Sequence, residues 1–134
     1  MAPVYTSAGG TAVVGDNVTY SQVGATVGSP GANKSTRVYI PITNPQNTTD
    51  ALNNVFVECK GNSADAKEIY VYFGNTPILD ANVTNGSTNF EIDTTSSSRV
   101  PDSNPYGIDV SIDINFTSDT GTFEIYSVTL QFGS

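Results

Sequence analysis

The sequence predicts an all-β fold, a two-sheet antiparallel β-sandwich with jelly-roll or Greek-key topology. Short segments rich in β-branched and aromatic residues recur along the chain, and most of them alternate apolar and polar residues with period two. No segment holds a convincing helical period of 3.6. The 134 residues fit one domain, residues 1–134, and a composition of 37% hydrophobic against 13% charged residues favours a buried core over disorder.

The strands are expected in chain order between polar or glycine-containing connections. Residues 11–27 are β-branched and interrupted by Gly15 and Gly24. The segment 36–43 contains Pro41, which cannot donate to a β-ladder, so this strand is predicted at a sheet edge or at a bulge. Further strands are expected at 55–60, 68–74, 76–79, 88–93, 107–116 and 122–132.

The connections between the strands are predicted from turn-forming residues. Long polar loops are expected at 28–35, 44–54 and 94–105, and residues 117–121 join the last two strands. The segment 61–67 is interpreted as a hairpin-type connection, and Asn85-Gly86 within 80–87 is a strong hairpin signal.

The last two strands carry the clearest pattern. Residues 107–116 alternate strictly, with one apolar face made of Ile108, Val110, Ile112, Ile114 and Phe116. The strand 122–132 changes phase between Ile125 and Val128, which indicates a bulge near Tyr126-Ser127 or, less favoured, a strand that is covered on both faces.

The polar face of 107–116 contains Asp109, Asp113 and Asn115. Alternate residues on a strand lie about 6.8 Å apart, so the two aspartates lie about 13–14 Å apart, too far for a glycosidase carboxylate pair. We interpret this row first as a solvated face and second as a surface for a ligand or a partner subunit.

Tyrosines supply the second group of candidates. Tyr70 and Tyr72 share the face opposite Ile69 and Val71, and Tyr39 lies opposite its apolar strand neighbours. Such rings suit ordinary cross-strand packing, sugar stacking or a protein interface.

The sequence gives little support for a catalytic site or a metal site. The chain has no histidine, and its one cysteine, Cys59, alternates with valines and is expected to be buried. We therefore predict no enzyme activity. Calcium is the only cofactor left open, through the loop residues Asp102, Asn104 and Asp119.

The net charge of −8 argues against binding to nucleic acid, and no apolar run is long enough for membrane insertion. No signal peptide is visible, so the chain is expected in the cytoplasm if it is complete and outside the cell if it is a mature form. Six Asn-X-Ser/Thr sequons, which we attribute to chance, begin at Asn17, Asn33, Asn47, Asn82, Asn85 and Asn115.

Three segments resemble a family of small, uncharacterised single-domain β-sandwich proteins: 24–42, 53–78 and 106–116. The match covers under half of the chain, and Val38-Tyr39-Ile40-Pro41-Ile42 lacks the Trp and His of that family's segment. The resemblance implies fold and size and brings no site.

Two functions fit these observations. We favour a non-catalytic binding module that recognises glycans, because tyrosine faces and amide-rich loops suit sugar rings and hydroxyls. The alternative is an assembly subunit, such as a coat or filament component, because the segment 68–74 carries apolar or aromatic groups on both faces. A homo-oligomer is expected.

Overall fold

The computed structural model describes residues 3–45, 50–94 and 107–133. Within these ranges the chain forms β-strands and a single 3-10 turn, Gly10–Ala12. The strands are β1 (Val4–Gly9), β2 (Val18–Tyr20), β3 (Ala25–Gly28), β4 (Lys34–Ile42), β5 (Leu52–Asn62), β6 (Ala64–Phe73), β7 (Thr76–Asn82), β8 (Phe90–Asp93), β9 (Ile108–Phe116) and β10 (Thr122–Phe132).

The strands form two antiparallel sheets, which confirms the predicted all-β sandwich. One sheet has the order β2-β3-β10-β5-β8, with β1 also paired to β10, and the other has the order β4-β9-β6-β7. From β3 onward the chain repeatedly crosses from one sheet to the other, as jelly-roll folds do.

The core lies between the sheets and is built from alternate strand residues. The predicted apolar face of β9 is buried, and Val110, Ile112, Ile114 and Phe116 are each fully inaccessible to solvent. Burial of each such side chain contributes about 1.5–3 kcal/mol before chain entropy is subtracted. The period-two pattern of the sequence therefore specifies which side of each strand faces the other sheet.

The bulge in β10 lies where the change of phase predicts it. Ile125 pairs with Cys59 and Ser127 pairs with Glu58, so Tyr126 is the extra residue on the β10 side of the ladder. The inserted residue allows Phe123 and Ile125 before it, and Val128 after it, to be fully buried on the same side.

Pro41 lies on an edge strand, as predicted. Strand β4 pairs with β9 on one side, and on the other side Tyr39 exchanges backbone hydrogen bonds of 2.8 Å with Val14. The backbone N–H groups of alternate residues point the same way, so the missing N–H of Pro41 falls on the outer edge and costs no hydrogen bond to β9.

Two hairpin predictions are wrong. Only Ser63 of the segment 61–67 lies between β5 and β6, and these two strands belong to different sheets, as do β7 and β8, which Asn85-Gly86 helps to connect. Asn85 does have the left-handed backbone that such a turn favours, with φ of 55°. The Gly86 carbonyl, however, accepts a 3.0 Å hydrogen bond from the Ala66 N–H, so this turn docks on β6 rather than closing a hairpin.

Candidate functional site

The outward side of the four-stranded sheet collects the predicted site residues. Its register aligns three rows of outward side chains, which we call the tyrosine face. The rows are Arg37–Asp113–Glu68–Asn82, Tyr39–Ser111–Tyr70–Asp80 and Pro41–Asp109–Tyr72–Pro77. Tyr39, Tyr70, Tyr72, Asp109 and Asp113 therefore share one surface although three different strands contribute them. Asn115 lies one row further, between Ser35 and Asp65.

Arg37 and Asp113 form a two-point ion pair across β4 and β9. Arg37 donates from Nε to Oδ1 of Asp113 at 2.6 Å and from Nη2 to Oδ2 at 3.1 Å. The guanidinium carbon also lies 4.6 Å from the centre of the Tyr70 ring, within the range of a cation–π contact. The hydrogen bonds to Asp113 raise the pKa of Arg37. Asp113 is thus paired rather than freely solvated.

The Arg37 contact changes what Tyr70 can do. The guanidinium occupies one flat side of the Tyr70 ring. Tyr70 is therefore better suited to holding Arg37 in position than to stacking on a sugar. Its hydroxyl donates to Glu68 Oε2 at 2.7 Å, and this bond is the largest cause that raises the pKa of Tyr70 to about 12.

Tyr39 is the most accessible aromatic ring of the face, with 44% of its surface exposed, whereas Tyr72 is half-buried. Ser111, which lies between Tyr39 and Tyr70 in the register, is only 3% exposed, so its neighbours cover it from solvent. The exposed Tyr39 ring offers an apolar surface on which a sugar ring can stack.

Carboxylates surround these rings. A hydrogen bond with the Glu68 carboxyl is the largest cause that raises the pKa of Asp80. Burial raises the pKa of Asp109, which lines a shallow groove of about 370 Å³ with Pro41, Ile42, Gly74, Gly107 and Ile108. In the described part of the chain Glu68, Asp80 and Asp109 have no ion-pair partner, so this face has an excess of negative charge.

The calcium prediction gains no support from geometry. Asp119 is exposed in the turn between β9 and β10, and Asp102 and Asn104 lie outside the described residues. Within residues 3–45, 50–94 and 107–133, no group of three or more acidic or cysteine side chains is arranged to hold a metal ion.

A second groove, with a mixed apolar and polar lining, was missed by the sequence reasoning. A groove of about 450 Å³ on the six-stranded sheet is lined by Phe56, Glu58, Asn89, Phe90, Glu91 and Ser127. Asn54 donates to Glu91 Oε2 at 2.5 Å, and Ser127 donates to Glu58 Oε1 at 3.2 Å. The alternation of Asn54, Phe56 and Glu58 with buried valines was the available signal for this face.

The Cys59 thiol is not placed to act as a nucleophile. Cys59 is buried as predicted, and burial raises the pKa of its thiol to about 12, so it stays protonated at neutral pH. In the described ranges no helix is both long and apolar enough to cross a membrane.

No protein-family model and no curated protein sequence matches the chain, so the family resemblance rests on the quoted segments alone. Solved structures do match in fold. A xylan-binding module, CBM15, is 15% identical with a TM-score of 0.50, and the match covers 98% of this chain and 92% of that chain.

Two structures of carbohydrate-binding modules of family 29 match similarly. One is 13% identical with a TM-score of 0.53, covering 99% of this chain and 94% of that chain. The other is 12% identical with a TM-score of 0.51, covering 100% of this chain and 89% of that chain. The chain therefore has the two-sheet β-sandwich fold that these carbohydrate-binding modules also have.

Proposed function

We propose that residues 1–134 form one non-catalytic module that binds a glycan on the tyrosine face. The observation that carries the proposal is the exposed ring of Tyr39, which lies in the register row next to the fixed Arg37–Asp113 pair. Rings provide apolar stacking for the faces of sugars, and the charged groups around them provide hydrogen bonds for the hydroxyls.

The names of the structural neighbours support the same ligand class. One is a xylan-binding module and two are family 29 carbohydrate-binding modules. With identities of 12–15% they support the class of ligand and say nothing of which residues bind it here.

Calorimetric titration with neutral xylo- and cello-oligosaccharides tests the proposal. We expect Tyr39→Ala to weaken binding about tenfold, the scale of one lost aromatic stacking contact. Tyr5→Ala is the matched control, because Tyr5 is 56% exposed on the six-stranded sheet, away from the tyrosine face. Absence of heat with every glycan of a broad panel would contradict the proposal.

The segment that suggested an assembly subunit does not need a second copy to cover its apolar side. The segment 68–74, which seemed to need a covering partner, lies mostly in β6 between β9 and β7. Ile69 and Val71 of this strand are fully buried inside the sandwich itself. The same chain's second sheet thus covers the apolar side of this strand, and the glycan-binding function is the one that the geometry favours.

A further inference from the structure

We infer that Arg37 determines the class of glycan that the tyrosine face binds: it offers hydrogen bonds to uncharged sugars, and the carboxylates around it exclude acidic sugars. The inference rests on the proposed glycan-binding function and assigns the role to one residue.

Arg37 is held in place before any ligand arrives. Asp113 fixes the guanidinium from one side through two hydrogen bonds, and the Tyr70 ring lies against its flat side at 4.6 Å. Tyr70 is fixed in turn by its bond to Glu68. The guanidinium is a planar fork of N–H donors. Because this fork is already ordered, ligand binding costs little further entropy of the Arg37 side chain.

The guanidinium still has donors to offer. Its bonds to Asp113 use Nε and one N–H of Nη2, and within the described ranges no other acceptor is bonded to it. The side chain remains 42% exposed. Planar, fixed N–H groups on an accessible edge suit the oxygen atoms of neighbouring sugar hydroxyls.

Tyr39 places a stacked sugar within reach of this fork. Tyr39 and Arg37 are alternate residues of β4, so their Cα atoms are separated by about 6.8 Å on the same face. This distance is about the width of one sugar ring and its hydroxyls. A pyranose that lies on Tyr39 would therefore turn an edge towards Arg37.

The charge balance selects against acidic sugars. Asp113 already compensates the positive charge of Arg37, while Glu68, Asp80 and Asp109 have no described ion-pair partner. A uronate or sulfate that approached the fork would meet this uncompensated negative charge, and such a mismatch lowers the affinity for the wrong ligand.

The test titrates the full chain with xylohexaose and cellohexaose as uncharged probes and with hexagalacturonate as the acidic probe. We expect the unmodified chain to bind an uncharged probe and not hexagalacturonate. Arg37→Ala and Arg37→Lys should each weaken that binding about tenfold or more, because lysine keeps the charge but lacks the planar fork. Lys34→Ala is the control, since it removes a cation from the same strand outside the site.

Two further readouts separate ligand contact from a structural role. The chain has two arginines, Arg37 and Arg99, so Arg37→Lys assigns the Nε–H NMR signal of Arg37. That signal should shift on addition of xylohexaose or cellohexaose. Glu68→Gln with Asp80→Asn should raise the affinity for hexagalacturonate, because it removes two of the repelling charges.

The outcomes distinguish the two proposals. If an uncharged probe binds but Arg37→Ala and Arg37→Lys match Lys34→Ala and the Nε–H signal stays fixed, the role of Arg37 is wrong and the proposed function stands. If hexagalacturonate binds as tightly as the uncharged probes, the charge selection is wrong. If no glycan binds the unmodified, folded chain, the proposed function itself is overturned.

Discussion

Gly10 and Gly24 show how single residues permit the layout of the six-stranded sheet. Strand β10 pairs with β3 through residues 122–125 and with β1 through residues 127–132, so two partners converge beside the bulge. A Cβ at either glycine would overlap the carbonyl oxygen of Ile125. Glycine is needed here for close approach of the backbones and not for an unusual φ.

A pair of neighbouring substitutions tests this point. Gly10→Ala should lower the free energy of unfolding by about 1–3 kcal/mol, because its Cβ meets fixed backbone atoms. Gly9→Ala is the control: its Cβ would have no heavy atom within 4 Å, so we expect a change within about 0.5 kcal/mol. Urea unfolding followed by circular dichroism measures both, and equal stabilities would contradict the packing explanation.

Asp109 gives a pH-dependent prediction. Burial raises its pKa above 3.8, so the unfolded state ionises first as the pH rises, and the charged carboxylate destabilises the folded state at neutral pH. Below about pH 3.8 the carboxyl is protonated in both states and the penalty vanishes.

Asp109→Asn should therefore stabilise the protein at pH 7 and have little effect near pH 3. Denaturant unfolding at both values checks the sign. Asp119→Asn, at an exposed turn, is the control and should leave the free energy of unfolding unchanged at both pH values. A loss of stability at pH 7 would show that the Asp109 carboxylate makes a favourable contact instead.

At the scale of elements, the β10 bulge determines which residues enter the core. Deletion of Tyr126 would restore a regular ladder and keep Val128, Leu130 and Phe132 on the inner face, because Ser127 would follow Ile125 directly opposite Glu58. Deletion of Thr129 would instead turn Leu130 and Phe132, which are completely buried, to the outer face, so we expect it to abolish folding while the Tyr126 deletion still folds.

Tyr126→Ala is the control, because it keeps the inserted residue and removes only its half-exposed side chain, whose hydroxyl donates to Glu124. We expect this variant to retain a cooperative thermal transition by circular dichroism. A Thr129 deletion variant that melts like Tyr126→Ala would show that the register of β10 is not fixed by the core.

The strands and their buried faces could be predicted from the sequence, whereas the sheet to which each strand belongs could not. Alternation in β9 and the change of phase in β10 are local patterns that report burial directly. The turn at Asn85-Gly86 is also local, and Asn85 has a left-handed backbone. Whether such a turn closes a hairpin depends on distant pairings, such as Ala64 with Phe116, that no short window contains.

For the candidate site, the sequence likewise predicts which side chains share a face of a strand but not which of them are in contact. Alternation alone places Tyr70 and Tyr72 on one side of β6. That Arg37 would cover the Tyr70 ring depends on the register of β4, β9 and β6 together, which the sequence pattern does not supply. For this reason the predicted residues share a face, while the proposed division into a stacking ring and a positioning ring depends on contacts that only the structure shows.

At the scale of the whole molecule, the proposed glycan binding and the predicted self-association would compete for the tyrosine face. Tyr39 and Val14, which are 44% and 57% exposed, are paired at the β4 edge and form an accessible apolar pair. The same pair could contact a sugar or a second copy of the chain. Two copies that each carry a net charge of −8 repel each other at low ionic strength, and salt screens this repulsion.

The predicted homo-oligomer is therefore expected to associate weakly, with a mass above 14.1 kDa that rises between about 0.05 M and 0.5 M salt. Light scattering after size-exclusion chromatography measures this mass. If the tyrosine face forms the contact, saturating xylohexaose and Tyr39→Ala should each return the mass to 14.1 kDa, whereas Tyr5→Ala should not. A mass of 14.1 kDa at every concentration and ionic strength would contradict self-association, and the face would then remain free for the ligand.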